Sequence, residues 1–340
     1  MWKVFLAFVT HRLLLLLVAL FALQGGARSG ASAWNRFLGR VAQGPEAQVV
    51  ESLAHRSFGQ VLVHSRNPLH WASVAGSNLT GARASFCLLV LSNLLLLIFL
   101  GELFALFNRM VTTDISTTAV LFVLFWPTTY ELSLGSSLAL ACLLVAFCLR
   151  QALEQNWWMA GLAGSVLALM DPIAIGLFPV FVYIFWSVQR FLPTKEWGRN
   201  AGFFLVPVLI GALLSGHSWG TVMSTVDQSA LLTLFQLKTP TGEGLFSHSA
   251  AGQTISIIFF FLGAAGGLFS NVNPLHRFLP MLVLLALLLC SPYSSLASRA
   301  PLAGICMEGV ASASSGTASR IASLLMVLLG AYEVYALFAV

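Results

Sequence analysis

Residues 84–107, ASFCLLVLSNLLLLIFLGELFALF, decide the fold class of this chain, because Glu102 is the only charged residue among them. A helix needs about 20 consecutive apolar residues to cross the hydrocarbon core of a bilayer. In the whole chain 58% of residues are hydrophobic and 9% are charged, against roughly 45–50% and 25% in a soluble domain. So few charges could not keep the surface of a 340-residue soluble protein hydrated. The sequence therefore predicts an integral membrane protein.

Similar apolar runs recur along the chain and predict about ten membrane-spanning helices. They lie near 5–23, 84–107, 115–130, 133–149, 157–171, 173–188, 200–216, 251–270, 276–292 and 321–340, with a weaker candidate at 300–311. We expect an all-α fold, a polytopic transmembrane helix bundle that forms one membrane domain over residues 1–340. The weak candidate leaves open on which side of the membrane the chain ends.

Basic residues in the short loops predict the orientation, because Lys and Arg are enriched in cytoplasmic loops. If the N-terminus is cytoplasmic, Arg109, Arg150 and Arg277 fall on that side, and the opposite short loops carry almost no basic residues. Residues 24–83 then form a large non-cytoplasmic first loop, and residues 217–250 a second polar one. The membrane would be the plasma (inner) membrane of a bacterium or the endoplasmic reticulum of a eukaryote.

The first loop contains amphipathic segments. Trp34, Phe37 and Val41 are spaced to share one face of a helix, with Arg36 and Arg40 on another. A basic amphipathic helix of this kind lies in the headgroup plane of a bilayer. Two interpretations remain open. The loop only covers the bundle, or it contains catalytic residues and encloses a cavity together with the second polar loop.

Several short motifs follow one another in order along the chain. They are His11-Arg12 before a leucine run, Trp34-Asn35 with Phe37-Leu38, Ser92-Asn93-Leu94, Phe125-Trp126-Pro127, Leu132-Ser133, Trp157-Trp158 and Leu167 to Pro172. In order and spacing they resemble the PIG-V-like (Gpi18-type) mannosyltransferases, which belong to the membrane-embedded GT-C glycosyltransferases. Gly216-His217-Ser218 and Ser298-Arg299 with Pro301 resemble later pieces of the same family.

The resemblance implies a GT-C-like fold and the transfer of mannose from a polyprenyl- or dolichyl-phosphate donor to a lipid-linked or glycan acceptor, as in GPI-anchor biosynthesis. That reaction needs a carboxylate near the acceptor hydroxyl and positive charge or a metal near the leaving phosphate. In the family the carboxylate candidate is the Asp of the first-loop Trp-Asp motif, and Asn35 stands at that position. An amide can orient a hydroxyl but cannot accept its proton. If the chain is active, the acid that replaces it comes from Glu46, Glu51, Asp171, Asp227 or Glu243, and we select Glu46 and Asp227 as the candidates.

Other positions also depart from the family pattern. An acid expected after Pro127 is replaced by the Ser136-Ser137 segment, a basic residue expected before Pro172 is Asp171, and His217 replaces the Asp of a Gly-Asp-Pro-like turn. The sequence therefore supports two functions from different classes. One is a mannosyltransferase with weakened motifs; the other is a non-catalytic membrane subunit or lipid-binding scaffold with the same fold. A transporter is less favoured, because no inverted repeat is visible.

Substrate and phosphate contacts are expected from residues with aromatic, guanidinium or imidazole groups. The candidates are Trp34, Arg36, Arg56, Arg66 and His217. Arg matches phosphate oxygens with its planar fork of donors, although contact with lipid headgroups is the competing interpretation. We expect membrane lipids and the donor lipid as partners, and a membrane protein partner if the chain is a subunit. No clustered basic face predicts nucleic-acid binding.

No cofactor is predicted. A divalent metal at the leaving phosphate would be compatible with the chemistry, but no Cys/His ligand spacing supports a metal site. Glu102, inside an apolar run, is expected to face the bundle interior and to meet a polar partner there.

Overall fold

The computed structural model describes residues 2–25, 32–109, 112–126, 129–171, 174, 178–189, 194–215 and 316–339. Within these ranges every regular element is helical and there is no β-strand. The helices are α1 (Trp2–Gly25), α2 (Ala33–Ala42), α3 (Pro45–Ala54), α4 (Phe58–His64), α5 (Pro68–Thr80), α6 (Ala84–Asn108), α7 (Thr113–Phe125), α8 (Leu138–Leu153), α9 (Trp157–Met170), α10 (Phe178–Gln189), α11 (Thr194–Ser215) and α12 (Gly316–Ala339), with a 3-10 turn at Thr129–Ser133.

Four of these helices contain stretches long and apolar enough to cross a membrane. The stretches are Trp2–Gln24, Ala84–Asn108, Glu196–Ser215 and Ser319–Ala339, and α7, α8 and α9 are shorter apolar helices. The chain is therefore a membrane protein with a helical fold in its described part, as the composition predicts. The candidate spans at 251–270, 276–292 and 300–311, and the second polar loop at 217–250, lie outside the described residues.

The structure differs from the sequence prediction between α7 and α8. The apolar runs at 115–130 and 133–149 predict two helices with almost no joint, yet α7 ends at Phe125 and α8 begins at Leu138. Trp126 has φ −53° and ψ 132°, because a residue that precedes proline is driven out of the helical region. Gly135 has φ +87°, a conformation that glycine adopts without steric cost. The intervening 3-10 turn therefore presents polar groups where the ends of two closely joined helices were expected.

The described part of the first loop, residues 32–83, contains four helices, α2 to α5. The helix predicted around Trp34 is present as α2, with Phe37 and Val41 buried on one face, whereas Trp34 is 42% exposed. Residues 47–63 of the first loop are divided between α3 and α4. The division falls at Ser57, whose backbone N–H donates to the side-chain oxygen of Gln60. This bond belongs to a capping box at the N-terminus of α4.

α1 and α12 run in the same direction. The first half of α1 shares a buried cluster with the first half of α12, through Val4, Phe8 and Met326. The second halves share another cluster, which includes Leu15 and Phe338. The C-terminal end of α12 therefore lies at the same end of the bundle as α2, which packs on the second cluster.

Candidate functional site

Two carboxylates of the first loop bind the N-termini of bundle helices. Glu46 accepts hydrogen bonds from the backbone N–H of Ser137 at 2.8 Å and from its hydroxyl at 2.6 Å, at the start of α8. Glu51 accepts from the N–H of Ser85 at 3.0 Å and from its hydroxyl at 2.5 Å, at the start of α6. A carboxylate satisfies the free N–H groups of a helix N-terminus and interacts favourably with the helix dipole. Both acids therefore have structural roles.

An arginine of the first loop binds a helix C-terminus in the complementary way. Arg66 donates from Nη1 to the carbonyl oxygen of Ser215, the last residue of α11. Positive charge is favourable at this end of a helix dipole. Acids at two N-termini and a guanidinium at one C-terminus thus attach the first loop to one end of the bundle.

A cavity of about 180 Å³ lies where α1, α2, α6, α12 and the 3-10 turn meet. Its polar lining consists of Arg12, Asn93, Tyr130 and Ser133, and its apolar walls include Leu15, Trp34 and Phe338. We call it the Arg12 cavity. Trp34 stacks on Phe37 with ring centroids 5.6 Å apart, and Phe37 in turn contacts Phe338 at 5.4 Å. The first loop therefore forms one wall of the cavity.

Residues from four of the sequence motifs meet at this cavity. Arg12 comes from His11-Arg12, Trp34 from Trp34-Asn35, Asn93 from Ser92-Asn93-Leu94, and Ser133 from Leu132-Ser133. Arg12 and Ser133 are 121 positions apart in the sequence and are directly hydrogen-bonded. The spacing of the motifs is therefore compatible with a single site.

The polar groups of the cavity form a chain of hydrogen bonds. Arg12 donates from Nη1 to the hydroxyl oxygen of Ser133 at 3.0 Å. Asn93 donates from Nδ2 to the carbonyl oxygen of Ser133 at 2.8 Å and to that of Leu89 at 2.9 Å. The 3-10 turn is thereby bound to both α1 and α6, in a position that a continuous helix through residues 126–137 could not reach.

The guanidinium of Arg12 is only partly satisfied. Its Nε and Nη2 atoms are sealed from solvent and have no hydrogen-bond partner in the described part of the chain. The guanidinium also lies over the ring of Phe8, whose centroid is 5.7 Å from the guanidinium carbon. The described residues form four ion pairs, whose basic members are His70, Arg109 and Arg150. None of these pairs includes Arg12. The cavity therefore has a positive charge without a described counter-charge.

The predicted site residues lie in several places. Trp34 lines the cavity, whereas Asn35 is exposed on α2 and its backbone N–H is bound by the capping hydroxyl of Ser32. Arg36 is half-buried and its Nε has no partner within the described ranges. Arg56 is exposed. Asp227 and His217 lie outside the described residues, so their predicted roles stay predictions.

Sequence reasoning missed Arg12, Asn93, Tyr130 and Ser133 as site residues. A signal for Arg12 was available, because a charge at the centre of a membrane helix costs about 2.5–3.5 kcal/mol on insertion scales and marks function by default. Glu131 was also overlooked. It belongs to the 3-10 turn, between Tyr130 and Ser133, both of which line the cavity.

At the opposite end of the bundle, Arg109, Arg150, Glu102 and Glu154 form a cluster of ion pairs. Arg150 donates to Glu102 from Nε at 2.7 Å and from Nη2 at 3.3 Å, and from Nη1 to Glu154 at 3.2 Å. Arg109 donates to Glu154 at 2.8 Å. The expectation that Glu102 meets a polar partner inside the bundle is confirmed, and this cluster joins α6 to α8.

No family model, no curated protein and no solved structure matches this chain. The convergence of the motif residues on the Arg12 cavity and the chemistry of that cavity are therefore the basis for a functional proposal.

Proposed function

We propose that this chain is a GT-C-like polytopic membrane protein of the PIG-V mannosyltransferase type, which holds a polyprenyl- or dolichyl-phosphate-linked sugar in the Arg12 cavity. The observation that supports this most is the meeting of Arg12, Trp34, Asn93 and Ser133, one from each of four motifs, at one cavity. The cavity combines what such a lipid requires, a cationic group for the phosphate and apolar walls for the chain.

The proposed topology has about ten spans, with the N-terminus in the cytoplasm and the first loop on the other side. It is supported by the position of Arg109 and Arg150 at the end of the bundle opposite the first loop, as the enrichment of basic residues in cytoplasmic loops requires. Because α12 runs parallel to α1, the number of spans has to be odd, and we expect the C-terminal end of α12 on the non-cytoplasmic side. A C-terminal epitope tag should react with antibody only when that side is opened, and reaction from the cytoplasmic side would contradict the topology.

Of the two functional classes, the described residues favour a non-catalytic lipid-binding subunit. The Glu46 carboxylate already accepts two hydrogen bonds at the start of α8, and Asn35 cannot accept a proton. No carboxylate belongs to the described lining of the cavity. We therefore propose that the protein holds the donor and does not transfer its sugar through these two residues.

A transferase remains the second candidate because of Glu131. It lies in the 3-10 turn, next in sequence to Tyr130, which lines the cavity. An active enzyme would require a proton acceptor of this type near the acceptor hydroxyl.

The experiment uses the full chain in lipid nanodiscs with radiolabelled dolichyl-phosphate mannose, followed by membranes that supply acceptors. The proposal expects the donor to be retained and no mannose to be transferred by the wild type, by Glu46→Gln or by Glu131→Gln. Failure to retain the donor would contradict the proposal. Transfer by the wild type that disappears in Glu131→Gln but persists in Glu46→Gln would establish the second candidate instead. Asn35→Asp tests whether restoring the family carboxylate is sufficient for transfer.

A further inference from the structure

We infer that Arg12 is an anion subsite within the membrane bundle, which binds the phosphate of a lipid whose alkyl chain lies along α1 and α12. The inference rests on the proposed function and deepens it, because it assigns the phosphate to one residue and the chain to one pair of helices. Arg12 is not among the residues that the sequence selected for phosphate binding.

The position of Arg12 requires a counter-charge. Arg12 lies ten residues after Trp2 in α1, which at 1.5 Å per residue is about 15 Å along the helix axis. Near an end of the helix a long basic side chain could extend to the membrane surface. Here Nη1 is bound to Ser133, and Nε and Nη2 are sealed inside the protein. The charge therefore has to be balanced within the bundle.

The described partners do not supply that balance. The hydroxyl of Ser133 and the face of Phe8 are neutral groups. A guanidinium whose nitrogens are buried without partners is less stable than an apolar side chain of the same volume. A phosphate in the cavity would supply the missing negative charge, because Arg12 belongs to the cavity lining and guanidinium groups pair strongly with phosphate.

The walls of the cavity indicate that the phosphate is attached to a lipid. Leu15, Leu16 and Ala19 of α1 face Val334 and Phe338 of α12 across the cavity. A cavity of about 150 Å³ admits a benzene molecule, so the observed 180 Å³ accommodates a phosphate and the first carbons of a chain. The rest of the chain has to leave through the surface of the bundle.

α1 offers such an exit. Leu13 and Leu17, next to the residues that line the cavity, are 54% and 63% exposed on the outer surface of the same helix. Leucine side chains exposed on the outer surface of a membrane helix border hydrocarbon. α1 therefore borders both the cavity and the surrounding hydrocarbon. An alkyl chain can extend along this helix from the cavity into the lipid.

The test measures binding of four probes to the full chain in phosphatidylcholine nanodiscs: dolichyl phosphate, dolichol, phosphatidic acid and inorganic phosphate. The variants are Arg12→Gln, Arg12→Lys and Ser133→Ala. Lys3→Gln is the control, because Lys3 is an exposed basic residue of the same helix. We expect dolichyl phosphate to bind the wild type and Lys3→Gln equally, and Arg12→Gln to bind it at least tenfold more weakly. A tenfold loss corresponds to about 1.4 kcal/mol. Arg12→Lys should recover part of the loss, because it restores the charge without the fork.

Several outcomes would overturn the inference. Equal binding of dolichyl phosphate by Arg12→Gln and wild type would exclude Arg12 as the subsite, and equal binding of dolichol would exclude the phosphate. Competition by inorganic phosphate as effective as that by dolichyl phosphate would exclude a lipid site, and no binding of any probe would exclude the site altogether. Recovery in Arg12→Lys ensures that a loss in Arg12→Gln reflects charge rather than misfolding.

The same experiment separates this inference from the proposed function. If phosphatidic acid binds through Arg12 and dolichyl phosphate does not, the lipid-phosphate subsite stands and the polyprenyl-phosphate sugar donor is wrong. If dolichyl phosphate is retained but its retention is unchanged in Arg12→Gln, the donor proposal stands and the subsite is wrong.

Discussion

Arg12 and Arg150 are both half-buried arginines in apolar helices, and the bundle treats them differently. Arg150 meets Glu102 on the neighbouring helix and Glu154 one turn along its own. Arg12 meets one serine hydroxyl, and two of its nitrogens have no partner among the described residues. At Arg150, which joins two helices, the chain supplies two carboxylates that neutralise the charge. The described residues supply none to Arg12, and this difference is the basis for our proposal that Arg12 is a binding residue.

The largest expected effect comes from breaking the paired cluster. Arg150→Met would leave Glu102 without its partner, and the two side chains are 21% and 20% exposed. The expected cost therefore lies between about 0–1 kcal/mol, as for a surface pair, and about 3–5 kcal/mol, as for a fully buried one. We expect a strongly lowered unfolding temperature in detergent, measured by intrinsic fluorescence. The double variant Arg150→Met with Glu102→Leu should recover much of the loss, because it removes both charges. A single variant as stable as wild type would show that the cluster is not structural.

A smaller effect is expected where the first loop is attached to the bundle. Glu46→Ala removes the cap of α8, and loss of such a cap typically costs about 0.5–2 kcal/mol. Gln48→Ala is the matched control on the same helix, because its exposed side chain contacts only the carbonyl oxygen of Gln43. Limited proteolysis should cut the first loop faster in Glu46→Ala than in Gln48→Ala. Equal rates would contradict the role of Glu46 as an anchor and would return it to the candidates for catalysis.

The smallest effect is expected at the exposed edge of the paired cluster. The Arg109 side chain is 63% exposed, and its contact with Glu154 is a surface ion pair, which contributes about 0–1 kcal/mol. Arg109→Gln should therefore leave the unfolding temperature nearly unchanged, and high salt should abolish any difference. A loss of stability as large as that of Arg150→Met would mean that side-chain exposure does not determine how much each arginine contributes to stability.

The sequence predicts local features of this molecule better than contacts between distant residues. The length of α6 and the buried face of α2 follow from apolar spacing alone, and the prediction that Glu102 has a polar partner follows from the cost of a charge in a membrane. The break between α7 and α8 depends on Trp126 and Gly135. The hydropathy pattern does not show it, because the residues around them are apolar. The structural role of Glu46 depends on Ser137, 91 positions away, which no local pattern reveals.

The thermal stabilities of Arg12→Met and Arg150→Met, each in delipidated detergent with and without dolichyl phosphate, show whether Arg12 binds a lipid or supports the fold. We expect Arg150→Met to be destabilised in both conditions. Arg12→Met should be as stable as wild type or more so without the lipid, because it removes a buried charge that has no described partner. Dolichyl phosphate should then raise the unfolding temperature of the wild type but not that of Arg12→Met. If Arg12→Met is destabilised as much as Arg150→Met without lipid, or is stabilised by the lipid as much as wild type, Arg12 is a structural residue and the account is wrong.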